Sequence, residues 1–144
     1  MIRIAVYSRS DAFHHGVSDG AKIVSDLRIE FRLRSDRRLE IPEYLDALVV
    51  DEPDPTVVER ILDGCAPVPV LIVDADQFSS QDVGRWSERV DGWAEMAGHD
   101  PERIIAAVRA VAMGFLVFDA ELRDNGHTRG EAIRQAIRRG IVSI

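Results

Sequence analysis

The tightest constraint on this chain is a pair of short apolar runs that do not alternate. Ala47-Leu48-Val49-Val50 and Val68-Pro69-Val70-Leu71-Ile72-Val73 put apolar side chains on both faces of any strand they form. That is the pattern of central strands in a parallel sheet buried between helices. Three further runs, Ile2 to Tyr7, Ile29 to Leu33 and Gly92 to Met96, bring the number to five. Stretches with helical apolar spacing lie between most of them, so the chain reads as α/β, a parallel sheet covered by helices.

The punctuation supports this reading. Asp11 is the expected cap of a helix running to about Ser25, and Pro55 before Thr-Val-Val-Glu-Arg-Ile-Leu predicts a second helix with proline in its first turn. Ser79 or Ser80 caps a third, through Trp86 to Val90. The clearest helix spans Asp100 to Met113, with an aspartate cap, Pro101 next and Gly114 to close it. The stretch Asp36 to Asp46 is interrupted by Pro42 and leaves room for only a short helix. Beyond Gly114 come Phe115-Leu116-Val117-Phe118, a polar turn at Asp124-Asn125-Gly126 and an expected helix from Gly130 to Arg139. The expected division is a domain over 1–118 and a tail over 119–144, with one helix serving as linker or dimerisation element.

Composition excludes several classes of function. A chain of 144 residues suits one domain with a sizeable core. The net charge of -7 hides an acidic middle: residues 39–102 carry sixteen acidic and three basic side chains. A generic nucleic-acid binder would show the opposite balance, and the basic run Arg32, Arg34, Arg37 and Arg38 reads as a solvated strand edge. Cys65 stands alone, so no internal disulfide forms and it reads as a small packed residue. No apolar run approaches the roughly 20 residues of a membrane span, and the polar start is not secretory, so a cytoplasmic location is expected. His14 and His15 would point in different directions on a helix, and His99 and His127 offer no ligand spacing, so no metal or cofactor is expected. Gly16 to Lys22 lacks the spacing and the following hydroxyl residue of a phosphate loop. No nucleophile elbow occurs, and enzymatic activity is not expected.

In an open α/β sheet the site lies beyond the carboxyl ends of the strands. Strand one leads into Ser8, Arg9, Ser10 and Asp11; strand three into Asp51, Glu52 and Asp54; strand four into Asp74 and Asp76; strand five ends in Glu95 and Met96. Several carboxylates and one guanidinium are thus expected along one edge.

On these residues, and on Ile104-Ile105-Ala106-Ala107-Val108-Arg109-Ala110-Val111-Ala112-Met113-Gly114, the chain resembles the receiver domain of bacterial response regulators over about residues 2 to 114. The last of these segments resembles the final receiver helix of regulators that carry a LuxR-type DNA-binding domain. The resemblance implies a CheY-like, flavodoxin-like fold: a doubly wound five-stranded parallel sheet of order 2-1-3-4-5, in three α/β/α layers. It also implies a pocket in which an acidic pair after strand one holds Mg²⁺ and an aspartate after strand three accepts phosphate. A Ser or Thr after strand four and a Lys after strand five bind the phosphoryl oxygens. Here Asp51 matches the phosphoacceptor and Trp93 the switch aromatic. The rest departs: Ser8 and Arg9 replace the acidic pair, Asp74 the hydroxyl residue and Met96 the lysine, and the loop after Asp51 is shortened.

Phosphoryl transfer to a carboxylate needs a divalent cation and donors for the equatorial oxygens. The substitutions therefore lead us to expect a degenerate pseudo-receiver in which Arg9 fills the vacated cation position and pairs with Asp51 or Asp74. Such a domain would act without phosphorylation, by protein–protein contact in transcription regulation. Receivers pair through a face that here carries Trp86, Trp93, Ile104 and Val108, so a homodimer or a regulatory partner is expected. One alternative is a small-ligand sensor using the altered pocket; another is a phosphoryl-accepting receiver at Asp51. In the tail, Thr128-Arg129-Gly130-Glu131 followed by Arg139-Gly140 resembles the opening helix of a LuxR-type DNA-binding domain, while Ile133, Ala136 and Ile137 also suit a plain amphipathic helix. A reading helix does not follow, so DNA contact is expected only through a further C-terminal domain.

Overall fold

Strands β3 (Ala47–Asp51) and β4 (Val70–Val73) are buried along their whole length and pair in parallel at the centre of the sheet, Leu48 opposite Val70 and Asp51 opposite Val73. The computed structural model describes residues 1–34, 41–42, 44–64, 67–74 and 78–119, and the backbone of 123–124 and 127–128. The other strands are β1 (Ile2–Tyr7), β2 (Leu27–Leu33), β5 (Trp93–Met96) and β6 (Leu116–Phe118), and the sheet order is β2-β1-β3-β4-β5-β6, parallel throughout. The winding reverses between β1 and β3, which opens a crevice at the carboxyl ends of those two strands.

Helices α1 (Asp11–Ile23) and α4 (Pro101–Ala112) cover one face. Phe13, Val17, Ile104 and Val108 from these helices pack there on Ile4, Val6, Val49, Leu71 and Met96. Helices α2 (Pro55–Gly64) and α3 (Ser80–Ser87) cover the other, where Val58, Ile61, Val83 and Trp86 meet Tyr7, Val50, Ile72 and Trp93. Alternate residues of each strand supply the two clusters, as the side-chain period of two requires.

The helix starts follow capping chemistry. Ser79 accepts from the Asp82 N–H at 3.1 Å and Asp100 from the Glu102 N–H at 3.1 Å, as expected. At α1 the cap is Ser10, which accepts from the Phe13 N–H at 3.1 Å; Asp11, the expected cap, is the first helical residue, so the helix starts one place earlier than expected.

Among the described residues the main sheet has one strand more than the expected five. Phe115 to Phe118 is too short to stand out in the sequence, yet it pairs with β5, Trp93 opposite Leu116 and Glu95 opposite Phe118. Gly92 and Gly114 permit this close return. A side chain on Gly92 would meet the Val111 carbonyl oxygen at 2.5 Å, and Gly114 turns the chain at φ +89°. Between β2 and β3 no helix occurs among the described residues, although Ile41 and Leu45 are buried. A short antiparallel pair, β7 (Arg123–Asp124) and β8 (His127–Thr128), flanks the expected turn. Cys65, Asp76, Arg37, Arg38 and the expected helix from Gly130 to Arg139 lie outside the described residues. Among the described residues no helix is long and apolar enough to cross a membrane.

Candidate functional site

The strand ends place Ser8 and Asp51 side by side, both withdrawn from water. Ser8 Oγ accepts the Ser10 N–H at 3.0 Å and stands 3.0 Å from Asp51 Oδ2, where its proton meets the stronger acceptor, a carboxylate. The other oxygen, Asp51 Oδ1, lies 3.2 Å from His99 Nε2 and accepts no hydrogen bond among the described residues. Burial pushes the Asp51 carboxyl above the usual aspartate range. The Ser8 hydroxyl and His99 work against that rise, while the Glu52 and Asp74 charges add to it.

Asp74 and His99 complete the group. His99 Nε2 is 2.9 Å from Asp74 Oδ2, and Asp74 Oδ1 accepts the Gly98 N–H at 2.6 Å. The His99 ring stands edge-on to Phe13 of α1, centroids 4.9 Å apart. Glu52 and Asp74 both adopt left-handed backbone, φ +47° and +55°, directly after the last ladder bonds of their strands. These turns bring Glu52, Asp74 and His99 together, with one ligand atom of each within 4.8 Å of the others, so these three residues could hold a metal ion.

Arg9 does not take the place expected of it. It is exposed, makes no ion pair among the described residues and lines a cavity of about 170 Å³ with Tyr7, Ser10, Asp51, Glu52 and Asp54. The guanidinium that secures the end of β1 is Arg32, through the Ser8 carbonyl oxygen at 3.1 and 3.2 Å and Asp11 at 2.7 Å. The cation facing Asp51 and Asp74 is instead the imidazole of His99 when protonated.

Met96, at the lysine position, belongs to the apolar cluster beneath α1 and α4 and offers nothing to a phosphoryl group. Trp93 is fully buried against Trp86, its indole N–H 3.3 Å from the buried Glu95 carboxylate. The expected interface residues Trp86, Trp93, Ile104 and Val108 are each at most 1% exposed, because both aromatic rings and the apolar side of α4 are consumed by the sheet. They form core, and β6 further covers the β5 edge on which that interface was expected.

His99 has no ligand spacing along one element, so the sequence did not mark it as a site residue. The usable signal was positional: His99 follows β5 by three residues and directly precedes the cap of α4, so it sits at a strand end. Asp119 was also missed. It follows β6, its carboxylate is buried, and it accepts from Arg103 at 2.6 Å and from the Ala97 N–H at 3.1 Å.

No family model matches this chain, and no curated protein matches it. Its architecture is similar to that in the crystal structure of the response regulator ChrA of a heme-sensing two-component system, with a TM-score of 0.57 at 15% identity, over 98% of this chain and 68% of that one. With the strand order and the crevice described above, this similarity gives the chain a CheY-like receiver fold, extended by a sixth parallel strand.

Proposed function

We propose that this chain is a pseudo-receiver, a regulatory domain of the two-component type that signals through protein contacts without accepting a phosphoryl group. The observation that carries the reading is the enclosure of Asp51. One carboxylate oxygen is held by Ser8 and the other faces His99, with the Glu52 and Asp74 charges close enough to act on it. A phosphoryl group arriving there would meet two further carboxylates, and the positions that should neutralise its oxygens hold Asp74 and Met96. The partner is a second copy of the chain or a regulatory protein. The likeness of residues 104–114 to LuxR-type regulators supports a role in transcription control, with DNA contact made by a separate domain. An organic ligand in the pocket is less well supported. About 170 Å³ is small beside the roughly 300–1,000 Å³ of ordinary ligand sites, and Asp51, Glu52 and Asp54 outnumber Arg9 in its lining.

Incubation with acetyl phosphate and Mg²⁺, followed by intact-mass analysis, is expected to leave the chain unmodified. A stable phosphoryl adduct that is absent from the Asp51→Asn variant would overturn the reading.

A further inference from the structure

We propose that Glu52, Asp74 and His99 form a binding site for a divalent transition-metal ion, with Asp51 Oδ1 as its buried fourth ligand. The inference goes beyond the pseudo-receiver reading and does not depend on it. The donor separations suit such an ion. With bonds of about 2.0–2.1 Å, neighbouring ligand atoms stand about 2.9 Å apart around an octahedral ion and about 3.3 Å apart around a tetrahedral one. His99 Nε2 is 2.9 Å from Asp74 Oδ2, and Glu52 joins these two in a set whose ligand atoms all lie within 4.8 Å of one another; Asp51 Oδ1 borders that set, 3.2 Å from His99 Nε2.

Asp51 supplies an independent observation. Its side chain is 2% exposed, and its Oδ1 faces the cluster without accepting a hydrogen bond among the described residues. Beside a neutral imidazole, the form that binds a metal, a buried carboxylate oxygen in that condition calls for a partner, and a metal cation satisfies it. The outer hydrogen bonds agree. Asp74 Oδ1 is taken by the Gly98 N–H and Asp51 Oδ2 by Ser8, which leaves Asp74 Oδ2 and Asp51 Oδ1 both beside His99 Nε2. Support of this kind is what orients the ligands of metal sites. Phe13 fixes the ring of His99 from the α1 side.

The donor set selects the kind of ion. One imidazole nitrogen with carboxylate oxygens suits Zn²⁺, Co²⁺ or Ni²⁺, whereas Mg²⁺ prefers an all-oxygen shell with several waters. The site is also displaced from the position that the receiver resemblance assigns to Mg²⁺. That position follows β1 and here holds Ser8 and Arg9, while the proposed ligands follow β3, β4 and β5. His99 and Glu52 are exposed, so the ion enters directly from solution and keeps open positions for water or a partner's carboxylate.

The full chain, stripped with a chelator, is titrated with Zn²⁺ by calorimetry, and with Co²⁺ while its visible bands are recorded. The expected result is one equivalent of Zn²⁺ per chain that a large excess of Mg²⁺ does not displace. His99→Ala and Asp74→Asn should each weaken binding by at least about tenfold, while a His14→Ala/His15→Ala variant binds as the parent does. Thermal melts of the metal-free variants verify that each is folded. Undiminished affinity in His99→Ala, loss of binding in the His14/His15 variant, or no stoichiometric binding by the parent would each overturn the proposal.

Discussion

Two aspartates finish strands of the same sheet and are almost equally withdrawn from water, Asp51 at the end of β3 and Asp119 just after β6. Their surroundings differ. Asp119 receives the Arg103 guanidinium and a backbone N–H, so its charge is matched by a full positive charge. Asp51 receives a serine hydroxyl, faces an imidazole and has Glu52 and Asp74 as neighbours. Burial of a carboxylate at a strand end is therefore compatible with a structural clamp and with a functional site. What separates them is whether the surrounding charge is already balanced.

The largest expected effect tests the balanced member. Arg103→Met keeps much of the side-chain volume but leaves the Asp119 carboxylate without its guanidinium, and should destabilise the fold by about 2 kcal/mol. Chemical denaturation at neutral pH measures this. A loss below about 0.5 kcal/mol, the range of surface ion pairs, would dissolve the contrast. The unbalanced member should respond with the opposite sign. Asp51→Asn removes a buried charge from beside two others, and in the presence of a chelator should stabilise the fold by about 1 kcal/mol. Destabilisation would mean that Ser8 and His99 compensate Asp51 as fully as Arg103 compensates Asp119.

The same two residues mark how far the sequence could be read. The central strands were legible because Ala47 to Val50 and Val70 to Val73 are apolar on both faces, and α4 because Asp100, Pro101 and Gly114 punctuate it consistently. Asp51 was legible as a strand-end acid for the same reason. Asp119 was not, since β6 has only three residues and owes its existence to pairing with β5, which no local pattern announces. Arg9 was the expected partner of Asp51 or Asp74 because arginine is the obvious replacement cation. A loop residue is aimed by its backbone, however, and the chain sends Arg9 outward while the short turn after β5 brings His99 in. Trp86 and Trp93 were legible as large apolar residues that suit either core or an interface, and the choice between the two was not legible, since sequence alone does not reveal which side of a helix or strand is covered.

A third carboxylate, Glu59 on α2, extends the comparison to the surface and carries the smallest expected effect. It accepts from the Trp86 indole N–H at 2.7 Å, from Arg85 at 2.9 Å and from Arg89 at 3.3 Å. The indole hydrogen bond holds its carboxyl below the ordinary value of 4.5; partial burial opposes this and the two guanidinium groups reinforce it. A carboxyl with a depressed folded-state pKa contributes stability that is complete above its unfolded value and is lost as pH falls through the folded value. Glu59→Gln, which can still accept from Trp86, should cost about 0.5 kcal/mol at neutral pH because solvent screens an exposed pair. The parent and variant curves should converge in acid, below the ordinary carboxylate range. A difference that persists unchanged at low pH would mean that Glu59 acts through the shape of its hydrogen bond and not its charge. The charge-balance distinction between Asp51 and Asp119 would then not extend to the surface.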